Sequence, residues 1–284
     1  MALLGRTNRL DVVKKVDFGL YLDGGRLGEI LLPKRYAPEQ VEVGDSLDVF
    51  VYLDSEDRPI ATTEQPRAMV GETRLLKVVE VNRAGAFLDW GLPKDLLAPY
   101  GEQAELMEAG KSYVVHLYLD RIRNRITASS KLQRHLPEGS PWLKPGQQVE
   151  LLIWGETKLG YKAVVDSSCL GLLFHGEVFR PLGYGDRVKG WVKSIRPDGK
   201  LDLTLRRAQP MERGALGDRI LRDLHDNGGI STLTDRSSPD EIQARYHVSK
   251  GSYKKALGAL YKKRLIVIEK DRILLAGKEK TKRG

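Results

Sequence analysis

The sequence is poor in features that would indicate secretion or membrane insertion. It contains one cysteine, Cys169, in 284 residues, so no intramolecular disulfide can form and a reducing compartment fits. We expect this side chain to be a small buried apolar group. No run approaches the roughly 18 apolar residues of a transmembrane helix, and the first residues contain no apolar run of signal-peptide length. These absences predict a cytoplasmic protein that does not insert into a membrane.

Sequence motifs of common enzyme classes are also missing. There is no Gly-x-x-x-x-Gly-Lys-Ser/Thr phosphate loop and no Gly-x-Ser-x-Gly nucleophile elbow. The five histidines are scattered along the chain, and with a single cysteine they offer no zinc-binding spacing. We therefore predict a protein that is not an enzyme, with no metal site and no cofactor.

Basic residues are distributed unevenly along the chain, which has a formal net charge of +9. Residues 1–67 contain 9 basic and 12 acidic side chains, whereas residues 214–284 contain 16 and 9. The segments 68–140 (10 and 9) and 141–213 (12 and 8) lie in between. Because phosphate contacts come from clustered lysine and arginine, we expect a polyanion to bind the C-terminal half first. The alternative is that these residues only keep the surface soluble.

One β-strand pattern occurs three times in the first two thirds of the chain. Each copy begins with two β-rich runs joined by a glycine turn and a short apolar strand, at residues 8–32, 71–99 and 146–174. Each continues with a Gly-based turn, an alternating strand and a closing strand that starts at Pro59, Arg125 or Lys200. The period-two alternation marks strands with one buried face. Five short strands at this spacing suit a small closed or nearly closed barrel.

The order of these glycines and strands resembles the S1 RNA-binding repeat, which is an OB-fold barrel. The resemblance implies that RNA lies across the second and third strands, where aromatic residues, a histidine and an arginine contact bases and phosphates. The RNA-binding residues that it implies here are Phe18, Tyr21 and Arg58 in the first copy, Phe87 and Arg125 in the second, and Tyr161, Lys162, Phe174, His175 and Lys200 in the third. Aromatic stacking suits single strands because every base has a π-face, while lysine and arginine contact the phosphates.

None of the three copies has the complete set of family residues. The histidine position holds Leu31 in the first copy and Ala98 in the second, and Lys162 occupies a stacking position in the third. Aromatic residues are also common in β-strands, so the alternative for each ring is packing in a barrel core. We expect weak binding with little sequence preference.

After Arg213 the hydrophobic spacing changes from that of strands to that of helices. A helix, a short strand, a helix, a turn, a helix and a hairpin follow, which is the order of a winged helix-turn-helix domain. Ser238 and Glu241 form a capping box at the second helix, and the third begins at Ser249. Its predicted nucleic-acid contacts are Lys250, Lys254 and Lys255. Such a helix can enter the major groove of DNA or contact phosphates alone; the alternative is a solvated lysine-rich face.

These patterns predict a mainly β protein with a C-terminal α+β domain. Three tandem five-stranded OB-fold barrels of the S1 type precede a winged helix-turn-helix domain. The predicted domain limits are residues 1–66, 69–136, 143–209 and 214–277.

Three such repeats followed by this winged helix, with its stretch 238–266, resemble the conserved virulence factor B family of bacteria over nearly the whole chain. The resemblance implies RNA binding shared between repeats and winged helix, with an effect on gene expression. The leading hypothesis is a post-transcriptional regulator that binds single-stranded RNA. Two alternatives stay open: a DNA-binding transcription regulator, and a scaffold on the ribosome or a ribonuclease whose barrels hold protein partners.

Overall fold

Strands form the N-terminal three quarters of the molecule, and the α-helices of the described residues all lie near the C-terminus. The computed structural model describes residues 1–178, 180–206, 215–246 and 248–276. They belong to two units, Met1–Arg207 and Ala208–Gly284. The predicted turn at His247, the end of the third predicted barrel (207–209) and the predicted limits 214 and 277 lie outside the described residues. The mainly β fold class with a C-terminal winged helix is confirmed.

The first barrel is closed. Its strands are β1 Thr7–Val16, β2 Gly19–Asp23, β3 Glu29–Pro33, β4 Ser46–Leu53 and β5 Pro59–Thr62. They pair in the order β1-β2-β3-β5-β4, with β3 and β5 parallel. Leu10 and Val12 point into the core while Arg9 and Asp11 stay exposed, as the period of two requires.

The second and third barrels each contain the same succession of five strands, but the second forms an open sheet and only the third closes like the first. The second contains β6 Thr73–Asn82, β7 Gly85–Asp89, β8 Leu96–Pro99, β9 Ser112–Asp120 and β10 Arg125–Ser129, paired as β10-β9-β6-β7-β8. The third is closed and contains β11 Gln148–Glu156, β12 Gly160–Val165, β13 Cys169–Phe174, β14 Arg187–Ile195 and β15 Leu201–Thr204. Cys169 is buried, as expected, and burial raises the pKa of its thiol.

The first strand of every barrel has an irregular register at the same place. The shifts fall between Val12 and Lys14, between Val78 and Glu80, and between Ile153 and Gly155. A bulge increases local twist and re-aims the side chains beyond it. Each first strand can therefore bend to pair with two neighbours, and the shared irregularity supports three copies of one repeat.

The first two barrels share part of a hydrophobic core. Phe50 and Tyr52 of β4 pack edge-to-face on Trp90, with ring centroids 5.7 and 6.3 Å apart. All three side chains are buried. The backbone N–H of Val70 also donates to the carbonyl of Gly5 at 3.0 Å. Because breaking this contact would expose several large rings, the two barrels form a permanent pair.

The second and third barrels meet through a smaller apolar cluster, and the second barrel carries a stacked pair of histidines. Val114 and Leu132 pack against Leu152 of the third barrel. On the second barrel His116 is buried, its Nδ1 lies 3.0 Å from Thr73 Oγ1, and its ring stacks on that of His135. Burial, and then the charge of His135, lower the pKa of His116 to about 4. The connection between these barrels is therefore packed on the second barrel.

The C-terminal unit is a winged helix. Its elements are α1 Ala215–Asp226, β16 Ile230–Ser231, α2 Pro239–Tyr246, α3 Lys250–Lys262, β17 Ile266–Ile268 and β18 Ile273–Leu275. The predicted capping box is present, since Glu241 N donates to Ser238 Oγ at 3.2 Å and Ser238 N donates to Glu241 Oε2 at 2.8 Å. Tyr253 of α3 is fully buried and donates its hydroxyl hydrogen to the carbonyl of Leu233. No helix in the described part of the chain is both long enough and apolar enough to cross a membrane.

Candidate nucleic-acid interface

The third barrel has an open cavity on the face where the S1 resemblance places RNA. The cavity measures about 360 Å³ and is bounded by residues of β11, β12, β13 and the β14–β15 turn, and by Gln133 and Glu138 of the segment that follows β10. The side chains that matter for charge and stacking are Trp154, Lys158, Lys162, Arg196 and Lys200. Lys162 Nζ lies 4.9 Å from the centre of the Trp154 ring, and the Arg196 guanidinium lies 5.6 Å from that of Phe174. The face therefore combines ring surfaces with cations, as single-stranded nucleic acid requires.

The cations of this face differ in how far they are neutralised. Lys200 Nζ lies 2.9 Å from Glu138, which raises the pKa of Lys200. Arg196 Nε donates to Asp202 Oδ1 at 2.7 Å. Within the described ranges Lys158 and Lys162 have no ion pair, and Lys158 is exposed. These two lysines supply the charge that a phosphate could neutralise at least cost.

Two predicted contacts of the third barrel, Tyr161 and His175, differ in how far their side chains are buried. Tyr161 is only 8% exposed and belongs to the core, so the core-packing alternative holds for this ring. Strand alternation explains the error, because Tyr161 points inward where its neighbour Lys162 points to the face. His175 is exposed, and its Nε2 lies 3.1 Å from the carbonyl of Thr157 while its ring meets the edge of Tyr161. His175 therefore lies at the border of the face, next to Phe174 in the chain.

Trp154 is the ring that sequence reasoning missed. It lies at the register shift of β11, beyond Ile153, and lines the cavity. Its Nε1 is buried and has no acceptor among the residues that the structure describes. The signal in the sequence was an aromatic residue just before a glycine near the end of the first strand of the repeat, where a bulge turns a side chain onto the face.

The corresponding face of the second barrel is occupied by the first barrel. Arg125, a predicted RNA contact, forms an ion pair with Asp57 in the β4–β5 turn. Lys94 donates to the same carboxylate at 3.2 Å and to the carbonyl of Asp54 at 2.5 Å. Both cations hold the pKa of Asp57 below its usual range. Arg125, a predicted phosphate contact, is therefore already paired with a carboxylate of the first barrel, while its side chain remains half exposed. Phe87 remains half-buried at the edge of a cavity of about 520 Å³.

The predicted face of the first barrel is exposed but its arginine is neutralised. Phe18 is 59% exposed and meets the Tyr21 ring edge-to-face at 6.4 Å. Lys14 Nζ lies 5.8 Å from the centre of the same tyrosine ring. Arg58 donates to Asp54 at 3.0 Å and pairs with Glu56 at 2.9 Å. The structure thus brings the two rings together, while the cation of Arg58 is committed to neighbouring carboxylates.

The three predicted lysines of the winged helix lie on α3 and differ in exposure. Lys254 and Lys255 are exposed, although Lys254 Nζ lies 3.9 Å from Asp235. Lys250 is half-buried, and its Nζ donates to the carbonyl of Arg236 at 3.4 Å. Gly258 follows Lys255 by one turn on the same face, and the space around it is open. This face could contact a phosphate backbone through Lys254 and Lys255.

Two family models match the chain, one in the first barrel and one in the C-terminal unit. Residues 4–64 match the S1 domain, and residues 218–275 match the CvfB-like winged helix domain. Both are nucleic-acid-binding kinds of domain, and neither is an enzymatic kind.

Similar proteins extend the match over most of the chain. Uncharacterized protein YitL of Bacillus subtilis strain 168 is 27% identical over 267 residues, covering 91% of this chain and 89% of the relative. Conserved virulence factor B of Staphylococcus saprophyticus is 26% identical over 258 residues, covering 84% and 83%. The solved structure of a multidomain protein with nucleic acid binding domains from Streptococcus pneumoniae TIGR4 is 26% identical. It covers 96% of this chain and 98% of that chain, with a TM-score of 0.41. The predicted resemblance is confirmed: the chain combines an S1 domain with a CvfB-like winged helix domain and is a homologue of the conserved virulence factor B proteins.

Proposed function

We propose that this protein binds single-stranded RNA through the open face of its third barrel and the lysines of α3, without catalysing a reaction, as a cytoplasmic post-transcriptional regulator. The observation that carries the proposal is the cavity of about 360 Å³ on the S1-type face. Lys158 and Lys162 stand at that cavity without ion pairs among the described residues, next to Trp154. In this proposal the three barrels span residues 1–66, 69–136 and 143–209, and the winged helix spans residues 214–277.

The chemistry of the face favours a single strand over a duplex. A base stacked on an aromatic ring contributes about 1–3 kcal/mol, and that surface is available only when the base is unpaired. Trp154 and Phe174 are half-buried, so each offers part of a ring to one base. The neighbouring lysines would follow the phosphates. Stacking and phosphate contacts carry little information on base identity, so binding should tolerate many sequences.

The winged helix contributes charge. Lys254 and Lys255 are exposed on α3, and the helix ends with further exposed lysines at 262 and 263. Contacts of this kind act on the phosphate backbone and carry no sequence information. The C-terminal unit should therefore raise RNA affinity without changing base preference.

The test is fluorescence anisotropy of the full-length chain with a labelled single-stranded RNA and a duplex DNA of the same sequence. We expect RNA to bind more tightly and the affinity to fall steeply as salt increases. The variant Lys254→Gln/Lys255→Gln should weaken RNA binding, and Lys77→Gln/Lys111→Gln, with the same charge change on the second barrel, should not. Preference for duplex DNA would favour a transcription regulator. Absence of binding to both, with co-sedimentation with ribosomes or a ribonuclease, would favour a scaffold.

A further inference from the structure

A cavity of binding size lies on the second barrel where the first barrel covers part of its S1-type face. It measures about 520 Å³, within the range of small-molecule sites. Leu53 and Asp57 of the first barrel form part of its wall, and the second barrel contributes Phe87, Asp95 and Arg123. Asp57 pairs with Arg125 and Lys94, so two cations of this face are already bound to a carboxylate.

A half-buried carboxylate in this cavity has no partner. Asp95 has no hydrogen bond or ion pair within the described ranges. Burial, and then the charges of Asp89 and Glu80, raise the pKa of its carboxyl group. An unpaired carboxylate held in a cavity is costly for the fold and marks a candidate binding group. It would accept two hydrogen bonds from adjacent N–H donors on a ligand.

An aromatic ring and two arginines lie at the same cavity as this carboxylate. Phe87 is half-buried at the cavity, so it offers one face for stacking. Arg123 is largely exposed and only loosely paired, 3.6 Å from Asp120. Arg125 uses part of its guanidinium on Asp57 and retains other N–H donors. Two guanidinium groups at the rim match a phosphate.

We propose that the cavity between the first and second barrels binds a single guanine nucleotide. The base stacks on Phe87, and its N1–H and exocyclic amine donate to Asp95. The phosphate contacts Arg123 and Arg125. Adenine presents an acceptor at N1 and would leave the carboxylate unpaired. This inference goes beyond the proposed RNA binding, because it concerns a different barrel and a mononucleotide.

The experiment is isothermal titration calorimetry of the full-length protein with guanosine monophosphate, adenosine monophosphate and inorganic phosphate. We expect the guanine nucleotide to bind at least about tenfold more tightly than the adenine nucleotide, as a buried polar pairing demands. Asp95→Asn should abolish this preference, and Phe87→Leu should weaken binding about tenfold. Phe87→Tyr, which keeps the ring, and Asp48→Asn, an exposed carboxylate elsewhere, should change binding less than about twofold.

Equal affinity for the two nucleotides, or no binding of either, would overturn the inference. So would guanine binding that survives both Asp95→Asn and Phe87→Leu in folded variants, as checked by thermal unfolding. The wild-type comparison decides the question even if a variant fails to fold. RNA affinity measured on the same samples separates this inference from the proposed function, because Phe87→Leu should leave RNA binding unchanged. Loss of guanine selectivity with intact RNA binding would contradict only the nucleotide site.

Discussion

The second and third barrels are copies of one repeat, yet the cations on their S1-type faces are paired with carboxylates to different extents. On the second barrel, Asp57 of the first barrel pairs with Arg125 and Lys94. On the third barrel, Lys158 and Lys162 border an open cavity with no ion pair to the described residues. The second barrel matches the family better at its arginine position, but that arginine is already neutralised. On the third barrel, among the described residues, Glu138 pairs only with Lys200, so a match to a motif has to be weighed against the charges that neighbouring segments place on the face.

Charge reversal on the third barrel is expected to have the largest effect. Lys158→Glu/Lys162→Glu should weaken single-stranded RNA binding about hundredfold, because each lysine–phosphate ion pair contributes about tenfold to the affinity. The matched control is Lys77→Glu/Lys111→Glu on the second barrel, which changes net charge equally. Anisotropy at fixed salt measures both. Equal losses of affinity in the two variants would show that only overall charge matters and would remove the distinction between the barrels.

The stability of the second barrel should fall in acid because His116 is buried there. His116 has a pKa of about 4 in the folded state against 6.5 ordinarily, so the unfolded state binds a proton that the folded state does not. Its contribution to stability is complete above pH 6.5 and is lost as pH falls toward 4. Between pH 7 and pH 5 we expect a loss of about 2 kcal/mol. Urea unfolding of the wild type and His116→Gln at both pH values measures it; an identical pH dependence in the variant would contradict the assignment.

Single neutralisations compare the two faces most closely. Lys162→Gln should weaken RNA binding about tenfold and reduce the salt slope by about 0.7, the value for one phosphate contact with a single strand. Arg125→Gln should change affinity less than about twofold, because Asp57 already neutralises that charge. Salt titrations of both variants provide the slopes. A larger effect of Arg125→Gln would mean that RNA displaces Asp57 and uses the second barrel.

Neutralising Asp57 should have the smallest effect on RNA affinity, and it should raise that affinity instead of lowering it. Asp57→Asn leaves Arg125 and Lys94 without their carboxylate, so RNA affinity should rise about twofold to threefold. Asp48→Asn, an exposed carboxylate elsewhere on the first barrel, serves as the control. A gain confined to Asp57→Asn would show that this carboxylate limits the second barrel. Equal gains in both variants would indicate only the change in net charge.

Periodicity predicted the barrels and the winged helix because strand alternation and helix capping are local properties. The inward position of Tyr161 depends on the alternation of β12, and a sequence pattern does not show which of the alternate residues face the core. Trp154 was missed because it lies at the register shift of β11, which turns a side chain onto the face. The pairing of Arg125 with Asp57 joins residues 68 positions apart in different barrels, and no pattern within a repeat contains that information. The exposure of Lys254 and Lys255 follows from helical spacing, whereas Lys250 is half-buried against the carbonyl of Arg236.

The most direct test of the account is photocrosslinking of a 4-thiouridine-containing single-stranded RNA to the full-length protein, with the modified peptides mapped by mass spectrometry. Short-range cross-links report which rings touch bases. We expect them at Trp154 or Phe174 of the third barrel, and none at Phe87. Cross-links at Phe87 or Phe18 without any in the third barrel would contradict the claim that the open third face is the RNA-binding surface.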